Sequence, residues 1–333
     1  MAVTEPMTFD EDNPLPRPAT DSEHFADNMA IYWFDPAGLG GVIGMGQWPN
    51  RGEALTYIAA ADVPHRRGFQ QTRPPFPLGD HARAPDRLTC GAVTFRRLRR
   101  GVHRVQASAG DDIAVDLTLT DFYPMTPFPH PERMALLEDV APDHLETSGH
   151  AVGTLRLGGR TGAVDGWFHR DRSWGDRRET VPVSDYHWSV GTVGPQLSWA
   201  EIVCTIPGIG TFRNGYVHTD GAVRPCTVGR THVLLDEDFL TVRGWTTRLT
   251  TDTGSELVVR AVDPPIHLLD RRTRPDMIAT DTLASCEVTL DGGTVRGFGA
   301  LNMIVNPRLG TEPVVRHVGG VVDQGSFELP AEG

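Results

Sequence analysis

The chain has 333 residues, ample for two domains with separate cores, and 39% apolar against 22% charged residues excludes an intrinsically disordered protein. Its net charge is -12 with every basic residue an arginine, and that acidic excess argues against nucleic acid, whose phosphates need a net basic face. The 36 glycines and 26 prolines are spread along the chain, which suits many short strands joined by turns.

Residues 1–20 are acidic and proline-rich, which reads as a flexible arm and not as a signal peptide; with no stretch long enough to span a membrane, a cytoplasmic location is expected. Thr20 and Glu23 are spaced as a capping box, so a short helix is expected over 21–29. Strands are expected over 42–48 and 55–61. The stretch 64–87, with Pro74, Pro75, Pro77 and Pro85, reads as a long loop able to cover a cavity mouth. Residues 91–98, 102–107 and 113–119 then form an antiparallel meander. In the last of these, Ile113, Val115, Leu117 and Leu119 alternate with Ala114, Asp116 and Thr118, the period of a half-buried strand. Pro131 and Glu132 suit the first turn of one helix over 131–140. Further strands are expected over 151–157, 186–193, 199–206, 239–249, 257–262, 283–290 and 295–305. So many strands without intervening helices imply an all-β protein of sandwiches or barrels. The expected division is an arm to 20, a β-domain over 21–180, a second over 181–322, and a tail over 323–333.

Motifs for nucleotide cofactors are absent: no glycine fingerprint opens a helix after a strand, and Gly38, Gly40, Gly41, Gly44 and Gly46 read as a hairpin. Cys90, Cys204, Cys226 and Cys286 are far apart, as buried thiols are, and the 13 histidines show no ligand spacing. Neither a metal nor another cofactor is expected.

Chemistry concentrates between Trp167 and Glu201, where Trp167, Trp174, Trp188 and Trp199 interleave with ionisable groups. Large aromatic surface beside charge is what a sheltered pocket for an apolar substrate needs. In extended chain Arg172 shares a face with Trp174, Tyr186 with Trp188, and Trp199 with Glu201. The structural alternative is that the tryptophans fill a β-core while Arg170, Asp171, Arg172, Asp176, Arg177 and Arg178 form an ion network at the domain junction.

Gly166, Arg170, Asp171, Ser173, Trp174, Gly175 and Arg177, preceded by the strand-like run from Glu146 to Leu157, resemble the signature of a bacterial branch of the carotenoid 1,2-hydratase superfamily. The resemblance implies two lipocalin-like β-barrel or sandwich domains and relatives such as tocopherol cyclase, kievitone hydratase and fungal Diels-Alderases. In the hydratases a His-x-Trp pair precedes a Tyr-x-Asp whose carboxylate is taken as the proton donor. Here those places hold Arg172-x-Trp174 and Trp199-x-Glu201, with His169 or His187 standing in for the missing histidine. The resemblance thus implies a hydratase, lyase, isomerase or cyclase acting on a hydrophobic isoprenoid-like or polyketide-like molecule. Glu201, Asp171, His169 and His187 would be its catalytic groups, and Trp174, Trp188, Trp199, Tyr186 and Arg172 would line its pocket. The alternatives are a non-catalytic carrier of the same ligand and a pericyclase working by shape. The oligomeric state stays open.

Overall fold

A computed structural model describes residues 21–78, 83–84, 86–128, 143–177, 185–208, 210–237, 240–263, 265–274, 277–305 and 325–328. These residues are almost entirely β, arranged as two antiparallel sheets. The first sheet contains β1 (Phe25–Phe34), β2 (Leu39–Trp48), β3 (Glu53–Asp62), β4 (Arg67–Pro77), β5 (Arg83–Ala84), β6 (Arg87–Cys90), β7 (Val93–Arg99), β8 (Val102–Ala109), β9 (Ile113–Asp121), β10 (Thr126–Pro127), β11 (Asp143–Leu157) and β12 (Arg160–Asp176). The second contains β13 (Asp185–Thr192), β14 (Leu197–Ile206), β15 (Gly210–Thr219), β16 (Ala222–Leu235), β17 (Val242–Thr251), β18 (Glu256–Ala261), β19 (Ile266–Arg274), β20 (Met277–Leu290) and β21 (Gly293–Val305). A last strand, β22 (Gly325–Glu328), returns to the first sheet and pairs with β4.

The order across the first sheet is β22-β4-β3-β2-β1-β12-β11-β9-β8-β7-β6-β5, with β10 on β11. In the second, the order runs from β18 back to β13 and then through β21 and β20, and β18 also pairs with β20. That last pairing closes a ring of strands, with β19 outside it on the free half of β20. Closure removes the sheet edges that would otherwise template aggregation.

The cores follow from strand alternation. Met29, Ile31 and Trp33 of β1 enter the apolar core of the first sheet, while Ala30, Tyr32 and Phe34 join Trp188, Val190, Ala200, Ile202 and Phe298 in a cluster between the sheets. A third cluster, including Trp199, Val217, Trp245 and Leu257, fills the second sheet's ring. Three layers of side chains are thus separated by two walls of backbone. The wall carrying β1 and β12 bounds the seam from one side, and that carrying β13, β14 and β21 from the other.

Several expectations are corrected. The helix expected over 21–29 is replaced by β1, whose residues are buried on both faces and so lack the alternation that marks a half-exposed strand. The proline-rich loop expected over 64–87 holds β4, which tolerates Pro74 and Pro75 because the ladder to β3 slips between Ala54 and Thr56, opposite Arg73 and Phe76. The segment read as a tail over 323–333 contributes β22. The helix expected over 131–140 lies outside the described residues. Among the described residues no helix is long and apolar enough to cross a membrane.

One hairpin positions everything that follows. Gly158 and Gly159, at φ +54° and +79°, make a two-residue turn between β11 and β12 of the kind that matches strand twist. Pairing Leu157 with Arg160, the turn sets Ser148 opposite His169, Glu146 opposite Asp171 and His144 opposite Ser173. On the other side of β11, Gly153 lies so close to β9 that a Cβ there would stand 1.9 Å from the Asp116 carbonyl oxygen. Gly153→Ala is therefore expected to lower stability by about 3 kcal/mol through overpacking, read as a fall in the denaturant midpoint with an unchanged slope.

Candidate functional site

At the seam β11 and β12 present a buried group of four ionisable side chains. His144 Nε2 lies 3.1 Å from Glu146 Oε1 and 3.4 Å from Asp171 Oδ2. His169 Nε2 lies 3.3 Å from the other Glu146 oxygen. Glu146 and His169 are wholly buried, and His144 and Asp171 nearly so. From the opposite sheet, the Trp188 indole donates to Glu146 Oε1 at 2.9 Å. The Asp171 carboxylate accepts from the Ala30 backbone at 3.0 Å and from the Ser173 hydroxyl at 3.4 Å. On the far side the Tyr123 hydroxyl donates to Ser148 at 3.4 Å, and Ser148 lies 2.9 Å from His169 Nδ1. A polar chain therefore runs Tyr123, Ser148, His169, Glu146, His144, Asp171.

Aromatic rings enclose this chain. Phe128 stacks on His144 at 5.1 Å between centroids and meets the edge of Tyr216 at 5.8 Å. The Trp188 ring packs against Tyr32 at 5.6 Å and His169 at 5.8 Å. Tyr123 stacks on His218 at 3.9 Å. Below the seam the Tyr32 hydroxyl donates to Asp281 of β20, which also accepts from Asn302 at 2.8 Å. These bonds join the two sheets through the site.

The charges are mutually dependent. Burial by itself would depress the His144 imidazole, but the Glu146 charge, the contacts of the ring with Asp171 and Glu146, and the Asp171 charge outweigh it and lift the group to about 9. Burial likewise opposes ionisation of Glu146, yet its two histidine neighbours hold it down at about 2. Near neutrality the pair is an imidazolium beside a carboxylate. The Tyr216 hydroxyl lies within hydrogen-bonding reach of Tyr123 and Glu146. Three atoms here, His144 Nε2, Glu146 Oε2 and His169 Nε2, have no aligned hydrogen-bond partner among the described residues. Buried polar atoms are seldom left so.

The residues expected from sequence divide among three places. His169, Asp171, Trp188 and the half-buried Tyr186 belong to the seam; Tyr186 lies within electrostatic reach of Asp171 and Glu146. Arg172 and Trp174 lie on the opposite face of β12. There the Arg172 guanidinium donates to both Asp27 oxygens, at 3.1 and 2.7 Å, and lies 5.6 Å from the Trp174 ring. Arg170, on that same face, is clamped by Asp121 at 2.8 and 3.3 Å. The ion network expected to join Asp171 to its flanking arginines is thus corrected: alternation turns Arg170 and Arg172 away from it. Trp199 and Glu201 lie inside the ring of the second sheet, and His187 shares their side of the wall through its register with Val203.

Among the described residues Thr231 alone is hydrogen-bonded to the Glu201 carboxyl group; Thr231 pairs with Thr247 at 2.8 Å, and Thr247 donates to Ser189 at 3.0 Å. Burial raises the Glu201 pKa to about 7, against the lowering effects of Thr231 and Arg213. No group of His, Cys, Asp and Glu among the described residues is arranged to hold a metal ion.

His144 and Glu146 were not singled out from sequence as functional groups. The signal was present: two glycines at the turn set the hairpin register, and counting outward from Gly158 and Gly159 sets both residues against the segment from His169 to Ser173.

The family of the domain of unknown function DUF7064 matches residues 10–307. The chain belongs to that family. No curated protein matches it in sequence. Among solved structures, a protein of Nitrosomonas europaea assigned as AttH superposes with a TM-score of 0.65 at 15% identity, covering 90% of this chain and 97% of that one. CghA, solved with Sch210972, superposes at 0.61 with 15% identity, covering 89% and 96%. Kievitone hydratase of Nectria haematococca follows at 0.58 with 12% identity, covering 84% and 88%. At such identities the shared property is the fold, two lipocalin-like β-domains.

Two titration predictions follow from the charges. The His144 ring, observed by nuclear magnetic resonance, is expected to stay protonated to about pH 9, and Glu146→Gln to lower its titration by roughly 1 to 2 units. A folded pKa above the unfolded 6.5 means the His144 contribution to stability is full below 6.5 and lost as pH rises through about 9. The Glu146 contribution is full above 4.5 and lost as pH falls through about 2. Glu201 works in the other direction from Glu146: its protonated form is favoured, so its contribution is present below 4.5 and lost as pH rises through about 7. Glu201→Gln should therefore gain stability over the parent at pH 8 relative to pH 4, by on the order of 3 kcal/mol, in chemical denaturation at the two pH values.

Proposed function

We propose that this protein is an acid-base enzyme of the hydratase, lyase, isomerase or cyclase kind, holding a hydrophobic small molecule at the seam between its sheets. The observation that carries the reading is the Glu146 carboxyl group, buried between two imidazoles and bonded by Trp188 from the opposite sheet. Such an arrangement keeps an imidazolium ready in a site enclosed by aromatic rings, where a proton donor acts with little solvent to reorganise. Two of the structural neighbours, kievitone hydratase and CghA with Sch210972, support a small molecule as substrate by their names and fold. An isoprenoid-like or polyketide-like skeleton suits the rings of Trp188, Phe128 and Tyr32.

In the hydration direction the His144 imidazolium gives its Nε2 proton to one carbon of an alkene. The resulting cation, stabilised by the faces of Trp188 and Phe128, is captured by water at the other carbon. The proton released by that water passes to Glu146 and back across 3.1 Å to His144. Atoms balance as alkene plus water to alcohol, and the reverse sequence is a dehydration. His169 and Asp171 hold the two ends of the cluster, while Tyr186 and Trp188 line it.

A second reading rests on Glu201, whose raised pKa of about 7 also suits a proton donor. It would put the chemistry inside the second sheet's ring, beside Trp199. The two readings separate on turnover of the small molecule that copurifies with the protein, identified by mass spectrometry. Glu146→Gln and His144→Gln are each expected to lower turnover by about 10²- to 10⁴-fold, with Glu201→Gln reducing it far less. The reverse pattern moves the reaction into the ring. Full turnover in all three excludes both acids and leaves a shape-driven pericyclase, and a bound molecule that is never converted leaves a carrier.

A further inference from the structure

The second half of β12 and the residue that follows it carry three arginines whose surroundings differ. Arg170 and Arg172 are buried in the first sheet's interior, where each guanidinium grips one carboxylate, Asp121 or Asp27, through two nitrogens. Arg177 is half-buried, its backbone N–H held by the His24 carbonyl at 3.0 Å, and its side chain folds back towards Ser173. Its acceptors among the described residues are all uncharged. Nη2 donates to the Ser173 hydroxyl at 2.5 Å and to its carbonyl at 3.2 Å, while the Asn28 amide oxygen accepts from Nη1 at 2.9 Å and from Nη2 at 3.3 Å. Its Nε is buried with no hydrogen-bond partner among the described residues.

We propose that the molecule held at the seam is a hydrophobic acid, and that Arg177 binds its carboxylate. The inference rests on the seam being the reaction site, and it narrows the substrate class there. A guanidinium is a planar fork of five N–H donors that matches a carboxylate with two of them, as Arg170 and Arg172 already do. Arg177 has only neutral oxygens in that place. Asp171 and Asp27 act on it through their fields alone: Asp27 is held by Arg172, and Asp171 by His144, the Ala30 backbone and Ser173. Burial lowers the Arg177 pKa against those fields and the weaker ones of Tyr186 and Tyr57, so the surroundings hold the cation less well than water does. A neutral hydrocarbon closing over the seam removes water from the charge and returns nothing, whereas a carboxylate supplies the missing counter-ion.

The arrangement also orients the skeleton. Ser173 and Asp171 stand between the guanidinium and His144, each in contact with the next, so the acid group is kept apart from the carbons that the imidazolium protonates. Tyr186 and Trp188, two residues apart on one face of β13, continue an aromatic surface from the neighbourhood of Arg177 to that of Glu146. The head of the acid stops at the half-buried rim and its apolar body runs inward along these rings. Fixing one end in this way decides which carbons meet His144.

The test uses two probes of nearly the same shape, 2-naphthoate and 2-naphthamide, on the whole protein near neutral pH, with affinity measured by calorimetry. Occupancy of the seam is read from movement of the Trp188 indole N–H signal in nuclear magnetic resonance, assigned by its loss in Trp188→Phe. 2-Naphthoate is expected to bind at least about tenfold more tightly, and Arg177→Gln to abolish that preference while leaving the affinity for 2-naphthamide as it was. Asn28→Asp sets a carboxylate against the same guanidinium without removing it, and is expected to abolish the preference as well, which decides the matter even where Arg177→Gln does not fold. Equal binding of the two probes with the Trp188 signal moving overturns the acid and leaves the seam as a site. A preference that survives in Arg177→Gln or in Asn28→Asp overturns the role of Arg177. Movement of the Trp188 signal by neither probe overturns the substrate class and the seam reading together.

Discussion

The register of the β11–β12 hairpin is the constraint on which the rest depends. Its two-residue glycine turn admits one pairing, and strand period then sends His144, Glu146 and Ser148 to the same face as His169, Asp171 and Ser173. The same period sends Arg170 and Arg172 to the other face, into the first sheet's interior, where Asp121 and Asp27 receive them. A slip of one residue would exchange the two sets. It would bury arginines against Trp188 and leave the acids of the first core without cations, so both faces vote for the same register.

Burying four ionisable groups at a seam is costly unless each charge meets a complement. Here the complement is distributed: Glu146 faces two imidazoles and an indole, and His144 faces two carboxylates. Because Trp188 comes from the second sheet, the cluster is complete only when the sheets are docked. Docking is supported independently by the Tyr32–Asp281–Asn302 bonds and by Phe34 stacked on Phe298 at 5.3 Å, nearly parallel. The electrostatics of the site and the packing of the two sheets are in this sense one structure.

What could be read in the sequence was what repeats locally. The alternation of Ile113 to Leu119 announces β9, and the aromatic and ionisable residues from Trp167 to Glu201 include His169, Asp171 and Trp188. The elements that escaped were those whose surroundings override the pattern. β1 has no polar face because cores lie on both sides of it, and β4 keeps its prolines by slipping its ladder. His144 and Glu146 escaped for another reason: their partners His169 and Asp171 lie in the next strand, and proximity across a ladder is visible only after the turn has been identified. Arg172 and Trp174 share a face as expected from extended chain, yet that face belongs to a different layer from the one holding Trp188. Strand period tells which residues travel together, and only the stacking of layers tells where they arrive.

The wall between the seam and the second ring makes the point most sharply. Trp188 and Ser189 are adjacent on β13, facing opposite sides, and pair with Ile202 and Glu201 of β14. On one side Trp188 bonds Glu146; on the other Ser189 ends the hydroxyl chain that leads through Thr247 and Thr231 to Glu201. Two buried glutamates thus lie behind the two faces of one sheet. The first has imidazole neighbours and is held down at about 2, while the second has burial opposed by the Thr231 hydroxyl and the Arg213 charge and is raised to about 7. Residue type is the same and burial is similar, so the difference comes from what each carboxylate faces. A carboxylate that stays charged can hold an imidazolium in place and take back its proton, whereas one that titrates near neutrality donates its own. The family of the chain and its fold leave both offices open; the neighbours around each acid assign them.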